Sequence, residues 1–131
     1  MNLKIAVFLA LGLLPRFSQA SQREVTCQFD HFVLDQSRNY SAAILSTCSA
    51  PVEIARGIQV EGKYSIVSES IVDQQAMIDA FGNIKKGNLV LIQIGHRSGP
   101  YGEADFAASV SINGTVTNFY YGSLSDAKGS E

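Results

Sequence analysis

Tryptophan is absent from this 131-residue chain, cysteine and histidine occur only twice each, and proline three times. Each shortage narrows what the protein does. Without indole rings, a carbohydrate platform of stacked aromatics is a poor fit, although seven phenylalanines and five tyrosines are present. His31 and His96 lie far apart and form no i, i+2 or i, i+4 pair, so the usual spacing of a metal site is missing. No Gly-x-Ser-x-Gly elbow, P-loop or dinucleotide fingerprint occurs, and no cofactor is expected. Basic clusters are equally scarce. Lys85-Lys86 is the one adjacent basic pair, whereas a polyanion-binding protein needs a basic stripe to displace counterions. Nucleic acid is therefore excluded as an expected partner.

Long apolar runs are lacking too, with one short exception at the start. Residues 5–14 form a ten-residue uncharged stretch, half the roughly 20 residues that a spanning helix needs. Lys4 precedes it, Pro15 breaks it, and Ser18-Gln19-Ala20 sets small residues at the −3 and −1 positions of a cleavage site. The expectation is a cleaved signal peptide over 1–20 and one domain over 21–131, with no membrane span in the mature chain. Cleavage would remove two of the ten basic residues, Lys4 and Arg16, and none of the twelve acidic ones. Formal net charge then moves from −2 to −4. Cys27 and Cys48 both survive processing, and an even pair in an exported chain predicts a disulfide.

The mature chain reads as mainly β: a small antiparallel sheet or β-sandwich carrying one short helix. Residues 104–112 and 115–122 alternate in polarity around Asn113-Gly114, a dipeptide suited to a two-residue type I′ turn. That turn pairs Ile112 with Thr115, Val110 with Thr117, Ala108 with Phe119 and Phe106 with Tyr121. The expected dry face is Phe106, Ala108, Val110, Ile112, Thr117, Phe119 and Tyr121; Asp105, Ser109, Ser111, Asn118 and Tyr120 form the wet face. A second hairpin reverses near Ser37-Arg38 and brings Cys27 opposite Cys48. Val25, Cys27, Phe29 and Val33 share one parity there, as do Ala42 and Ile44 on the return. Phe32 and Leu34 break the parity, which predicts a bulge or a two-faced strand. His31 is expected beside Cys27 and Phe29 as a hydrogen-bonded structural histidine.

Two further strands are expected over 57–67 and 89–94, the latter covered on both faces because Leu89-Val90-Leu91-Ile92 is continuously apolar. Between them, a helix capped by Ser70 and stopped by Gly82 would set Ile71, Gln75, Ile78 and Phe81 on one face, with a strand–turn as the alternative because of the β-branched residues.

Residues 95–103 hold the densest set of recognition side chains. Three glycines and a proline are interspersed with His96, Arg97, Ser98, Tyr101 and Glu103, the expected binding residues. A plain connector between strands is the bland account. A loop held on a rigid sheet is the sharper one, because Arg and Tyr are favoured anchors of interfaces. Ser98 to Tyr101 is similar to the Ser-Gly-x-x-Tyr loop of the periplasmic C-type lysozyme inhibitors, with one spacer fewer. That resemblance covers four residues and implies an inhibitor of an extracytoplasmic hydrolase, such as lysozyme or a protease, as one alternative. A small secreted hydrolase using His96 or His31 with a carboxylate is another, and a structural envelope component a third. The leading expectation is an exported, non-enzymatic binding protein whose partner is an unknown protein or small ligand. Sequons at Asn39 and Asn113 act as glycosylation acceptors only in a eukaryotic source, and the short single-lysine leader leans instead toward a bacterial periplasm. Mass spectrometry of the native protein checks the export reading: the intact chain is expected to begin near Ser21, and retention of Met1 outside the cytoplasm would contradict it.

Overall fold

Alternating polarity makes strands, and the chain builds nine of them and one α-helix among its described residues. The computed structural model describes residues 23–100 and 102–127. In order come β1 (Arg23–Asp35), β2 (Tyr40–Ser46), β3 (Val52–Ile54), β4 (Ile58–Val60), β5 (Tyr64–Ser68), α1 (Ile71–Phe81), β6 (Leu89–Gly99), β7 (Gly102–Ile112), β8 (Thr115–Asn118) and β9 (Ser123–Asp126). The signal-peptide expectation falls on residues outside this range.

Six strands pair antiparallel in the order β6–β1–β2–β5–β9–β7, and β7 pairs back onto β6. The sheet is therefore a closed barrel rather than an open sheet or sandwich. β8 is an extra strand on the edge of β7 beyond β9. Closure comes from β6, which serves both its hairpin partner β7 and the distant β1, Val25 lying opposite Ile92 and Cys27 opposite Val90. A closed barrel leaves its strands no unpaired edge, which is the physical gain over a sheet of the same size. The β3–β4 hairpin links the end of β2 to the start of β5 and so lies at one barrel end. The helix α1 links the end of β5 to the start of β6 and lies at the other.

The interior is filled by Val25, Cys27, Leu45, Tyr64, Ile66, Val90, Ile92 and Val110, each essentially inaccessible to water. The Cys27–Cys48 disulfide is formed and closes a sequence separation of 21 residues. Loop closure of that size stabilises the folded state by about 3 kcal/mol in the chain-entropy account.

Two bulges decide which side chains enter the barrel. In β1 the register shifts between Phe29 and His31, so Phe29 faces Leu45 whereas His31 faces Ile44. The expected bulge is present, and it turns His31 away from the face of Cys27 and Phe29, correcting its placement. Phe32 then joins the core beside Phe81. On β2, Ala43 and Leu45 line the interior, while Ala42 and Ile44 pack with Ala127 in a separate cluster on the opposite face. The reversal at Ser37-Arg38 is a 3₁₀ turn ended by Asn39 at φ 54°.

The second bulge lies in β7. The Asn113-Gly114 turn has φ of 52° and 84°, as a type I′ turn requires, and the pairs Ile112–Thr115 and Val110–Thr117 are as expected. Farther along, Gln93 faces Ser109 but Ile94 faces Ala107, so Ala108 is the extra residue. Parity flips there. Ala107 and Asp105 turn inward and are buried, Phe106 turns to the half-buried outer side opposite Ser123, and Tyr121 is exposed. The expected dry face thus holds at Val110 and Ile112 and fails at Phe106 and Tyr121. β6 also departs from expectation: Val90, Ile92 and Ile94 point inward, but Leu89 is exposed, because one face of a barrel strand looks outward.

The helix has the expected ends. Ser70 Oγ accepts from the Val72 N–H at 3.0 Å, and the Gly82 N–H donates to the Ile78 carbonyl at 2.8 Å. Its buried face is instead Asp73, Met77, Ala80 and Phe81, with Ile71 71% exposed. Phe81 stacks on Phe29 at 5.9 Å, and the Asp73 carboxylate accepts the N–H groups of Tyr120 (2.8 Å) and Tyr121 (2.6 Å). Those two anchors fix the helix rotation. Denaturant melts should show Phe81→Ala losing about 3–5 kcal/mol and Ile71→Ala within about 0.5 kcal/mol; the reverse ranking would restore the face expected from sequence.

Candidate functional site

The inward flip at the β7 bulge gathers charged groups at the barrel end beneath the β3–β4 hairpin. Asp105, with its side chain nearly buried, accepts from Arg23 Nη2 at 2.8 Å and from the Glu53 backbone N–H at 2.7 Å. The same guanidinium donates to the Pro51 carbonyl at 3.2 Å. Directly across from Asp105 on β6 stands His96, whose Nδ1 lies 2.8 Å from Asp105 Oδ1. Its Nε2 lies 2.6 Å from Glu103 Oε1, and Ser98 Oγ donates to the other Glu103 oxygen at 3.3 Å. Below them, the buried Tyr64 hydroxyl donates to the Ala50 carbonyl at 2.7 Å.

These contacts set the protonation states. Both ring nitrogens of His96 face carboxylates, which accept when ionised, so the contacts favour the doubly protonated imidazolium. Its pKa is raised above 6.5, chiefly by the bond to Glu103 and then by that to Asp105. Glu103 is lowered by the bond from His96 and next by that from Ser98. For Asp105 burial pushes upward, but the Glu53 N–H, His96 and Arg23 outweigh it and leave the carboxyl below its ordinary value. Burial also raises Tyr64 to about 12; Arg23 opposes that shift and Asp105 adds to it.

The arrangement is a charge clamp. A histidine protonated at both nitrogens has no lone pair with which to take a proton from a nucleophile. Ser98 is turned to Glu103 rather than to the ring. The hydrolase alternative asks for a carboxylate within reach of His96, and two are there; the same two contacts favour the protonated ring over the free base.

The other face of the β6–β7 hairpin is rigid for a different reason. Gly95 pairs with Phe106, whose ring lies over it so closely that a Cβ at Gly95 would collide with the aromatic carbons. Arg97, exposed, places its guanidinium 4.7 Å from the centre of that ring. Of the five expected binding residues, His96, Ser98 and Glu103 are thus joined on one face, Arg97 stands on the opposite face, and Tyr101 falls outside the described residues. Arg97, Ser98 and Glu103 are exposed and His96 is half-buried. Sequence reasoning missed Arg23 and the Glu53 N–H altogether and set Asp105 on a wet face. No local signal marks them, since only the β1–β6 pairing and the bulge bring them to His96.

His31 lies at the opposite side of β1 with Nδ1 3.3 Å from Asp30, whose pKa that bond chiefly lowers, and Lys86 reaches the same carboxylate at 3.8 Å. Both sequon asparagines, Asn39 and Asn113, sit exposed at tight turns with positive φ. Among the described residues no group of histidine, cysteine and carboxylate side chains is arranged to hold a metal, and no helix is long and apolar enough to cross a membrane. Compared with protein-family models, curated proteins and solved structures, the chain has no significant match.

The clamp imposes a pH dependence whose sign follows from the shifts. The raised His96 contributes stability fully present below its ordinary pKa and lost as pH rises through the higher folded value. The lowered Glu103 and Asp105 contribute stability lost as pH falls through their folded values. The cluster is therefore most stabilising above the ordinary carboxylate range and below the ordinary histidine value of 6.5, and its histidine part fades from there up to the raised value. An NMR titration should place the His96 midpoint above 6.5, and Glu103→Gln should lower it; a midpoint unmoved by that substitution would refute the clamp.

Proposed function

We propose that the protein is an exported, non-enzymatic binding protein that presents the β6–β7 hairpin end to its partner. The carrying observation is the double bracing of that hairpin. Its inner face is fixed by the His96–Glu103–Asp105–Arg23 network, and its outer face by Arg97 on Phe106 on Gly95. Exposed charges of both signs are thereby held still before any partner arrives. Pre-ordered side chains lose less entropy on binding, which is how a small surface reaches useful affinity.

Export is supported by the leader pattern of residues 1–20 and by the Cys27–Cys48 bond, since oxidising compartments preserve disulfides. The periplasm or extracellular space is the compartment this reading requires. An inhibitor of an extracytoplasmic hydrolase is one form of it: a projecting, braced hairpin suits insertion into a cleft.

The test is affinity capture from the native compartment, followed by dissociation constants for the purified partner. Arg97→Ala should weaken binding at least tenfold while costing no more than about 1 kcal/mol of folding stability, the value of an exposed cation–π contact. Equal binding by wild type, Arg97→Ala and Glu103→Gln would make the hairpin a plain connector.

A further inference from the structure

Closure gives each barrel strand two neighbours over part of its length, but β8 lies outside the barrel and among the described residues pairs only with β7. With the two-residue turn at Asn113-Gly114, Ile112–Thr115 and Val110–Thr117 are the hydrogen-bonded pairs, and the Phe119 N–H to Ala108 carbonyl bond (3.0 Å) continues that alternation. The N–H and C=O groups of Val116 and Asn118 therefore point away from β7, and among the described residues nothing bonds to them. A groove of about 640 Å³ follows this edge, with residues 115–120 on one side and Ala76 and Asp79 of α1 on the other. A sheet edge facing a helix across a slot is the setting in which extended peptides add as a strand.

The structure assigns this slot to an extended segment of a partner protein that pairs with β8 and carries a lysine or arginine. Asp79 is the acidic side chain lining the groove. Gln75 Nε2 donates to its Oδ1 at 2.8 Å, and the described residues supply no partner for Oδ2. Tyr120, 78% exposed, stands in the same lining and offers a ring face to a cation. Its backbone is pinned by the buried Asp73, so the ring has a fixed base. Charge thus selects a basic occupant.

The same charges argue against a second copy. Two β8 strands paired about a two-fold would bring both Asp79 carboxylates to one four-residue seam, between chains of net charge −2. The helix wall also stands where the second barrel would have to continue, and a stable dimer needs about 1,200–2,000 Å² of buried surface. The slot lies at the α1 end of the barrel, away from the braced β6–β7 hairpin, so it does not depend on that hairpin's role.

The experiment is selection of a random linear-peptide library displayed on phage against the full folded protein, with Val116→Pro as the counter-target. Proline removes the outward N–H and is tolerated on an edge strand. Ala76→Arg, which fills the groove from a helix surface, is the second variant should Val116→Pro fail to fold. Enriched peptides are expected to share a basic residue, to protect the Val116 and Asn118 amides from hydrogen exchange, and to bind both variants at least tenfold more weakly. Asp79→Asn should weaken the basic peptides and leave their lysine-to-alanine analogues unchanged. No enrichment over the variants, or enriched peptides that leave the Val116 and Asn118 amides unprotected, would overturn the proposal. So would a dimer in sedimentation that Val116→Pro or Ala76→Arg dissociates, since the occupant would then be a second copy.

Discussion

One inserted residue, Ala108, organises the end of this barrel where His96 and Asp105 meet. Ile92 faces Val110 and Gln93 faces Ser109 in ordinary register, and then Ile94 faces Ala107. The extra residue reverses the parity of β7 while β6 continues unbroken. Asp105 is thereby carried from the solvent side to the barrel end, directly across from His96. A buried carboxylate is costly unless it is paired and hydrogen-bonded. The Arg23 guanidinium, the Glu53 N–H and the His96 ring meet that requirement together. The β3–β4 hairpin is tied down by the same carboxylate, so the clamp and the cover over the barrel end are one structure.

The opposite end uses the same device with different groups. Asp73 is buried in the first turn of α1 and accepts two consecutive backbone N–H groups, those of Tyr120 and Tyr121. That pins the segment joining β8 to β9 and sets the rotation of the helix, which then seats Phe81 against Phe29 and Phe32. Each end of the barrel thus depends on one buried aspartate whose partners come from distant parts of the chain. The exposed features beside them, the β6–β7 hairpin and the β8 edge, are tied to those buried anchors by hydrogen bonds.

Much of the local structure was legible beforehand. Asn113-Gly114 identified its turn because few residues accept positive φ twice in succession, and Ser70 and Gly82 marked the helix ends through capping chemistry. The two cysteines identified their bond by number alone. Parity arguments were sound only as far as the next bulge. In β1 the mismatch of Phe32 and Leu34 announced the irregularity, though not which way His31 would turn. In β7 nothing announced it: Ala107 and Ala108 are both small and apolar, and either can occupy the inward position. Phe106 and Asp105 were consequently exchanged between faces. The helix face was misread because Ile71 and Val72 lie exposed, and the deciding contact is a carboxylate to backbone groups some 47 residues away.

The sequence by itself determined the mainly β class, the Asn113-Gly114 hairpin turn, the ends of the helix and the disulfide. These follow from interactions between residues near in the chain, or from residue types so few that no alternative pairing exists. Tertiary structure alone decided that β6 returns to β1 and closes a barrel, that Arg23 and Asp105 join His96 and Glu103, and that β8 is left with an open edge beside α1. Such features depend on which distant strands pair and in what register. Register is a collective property of the whole core, set where the summed packing is best rather than by any one residue.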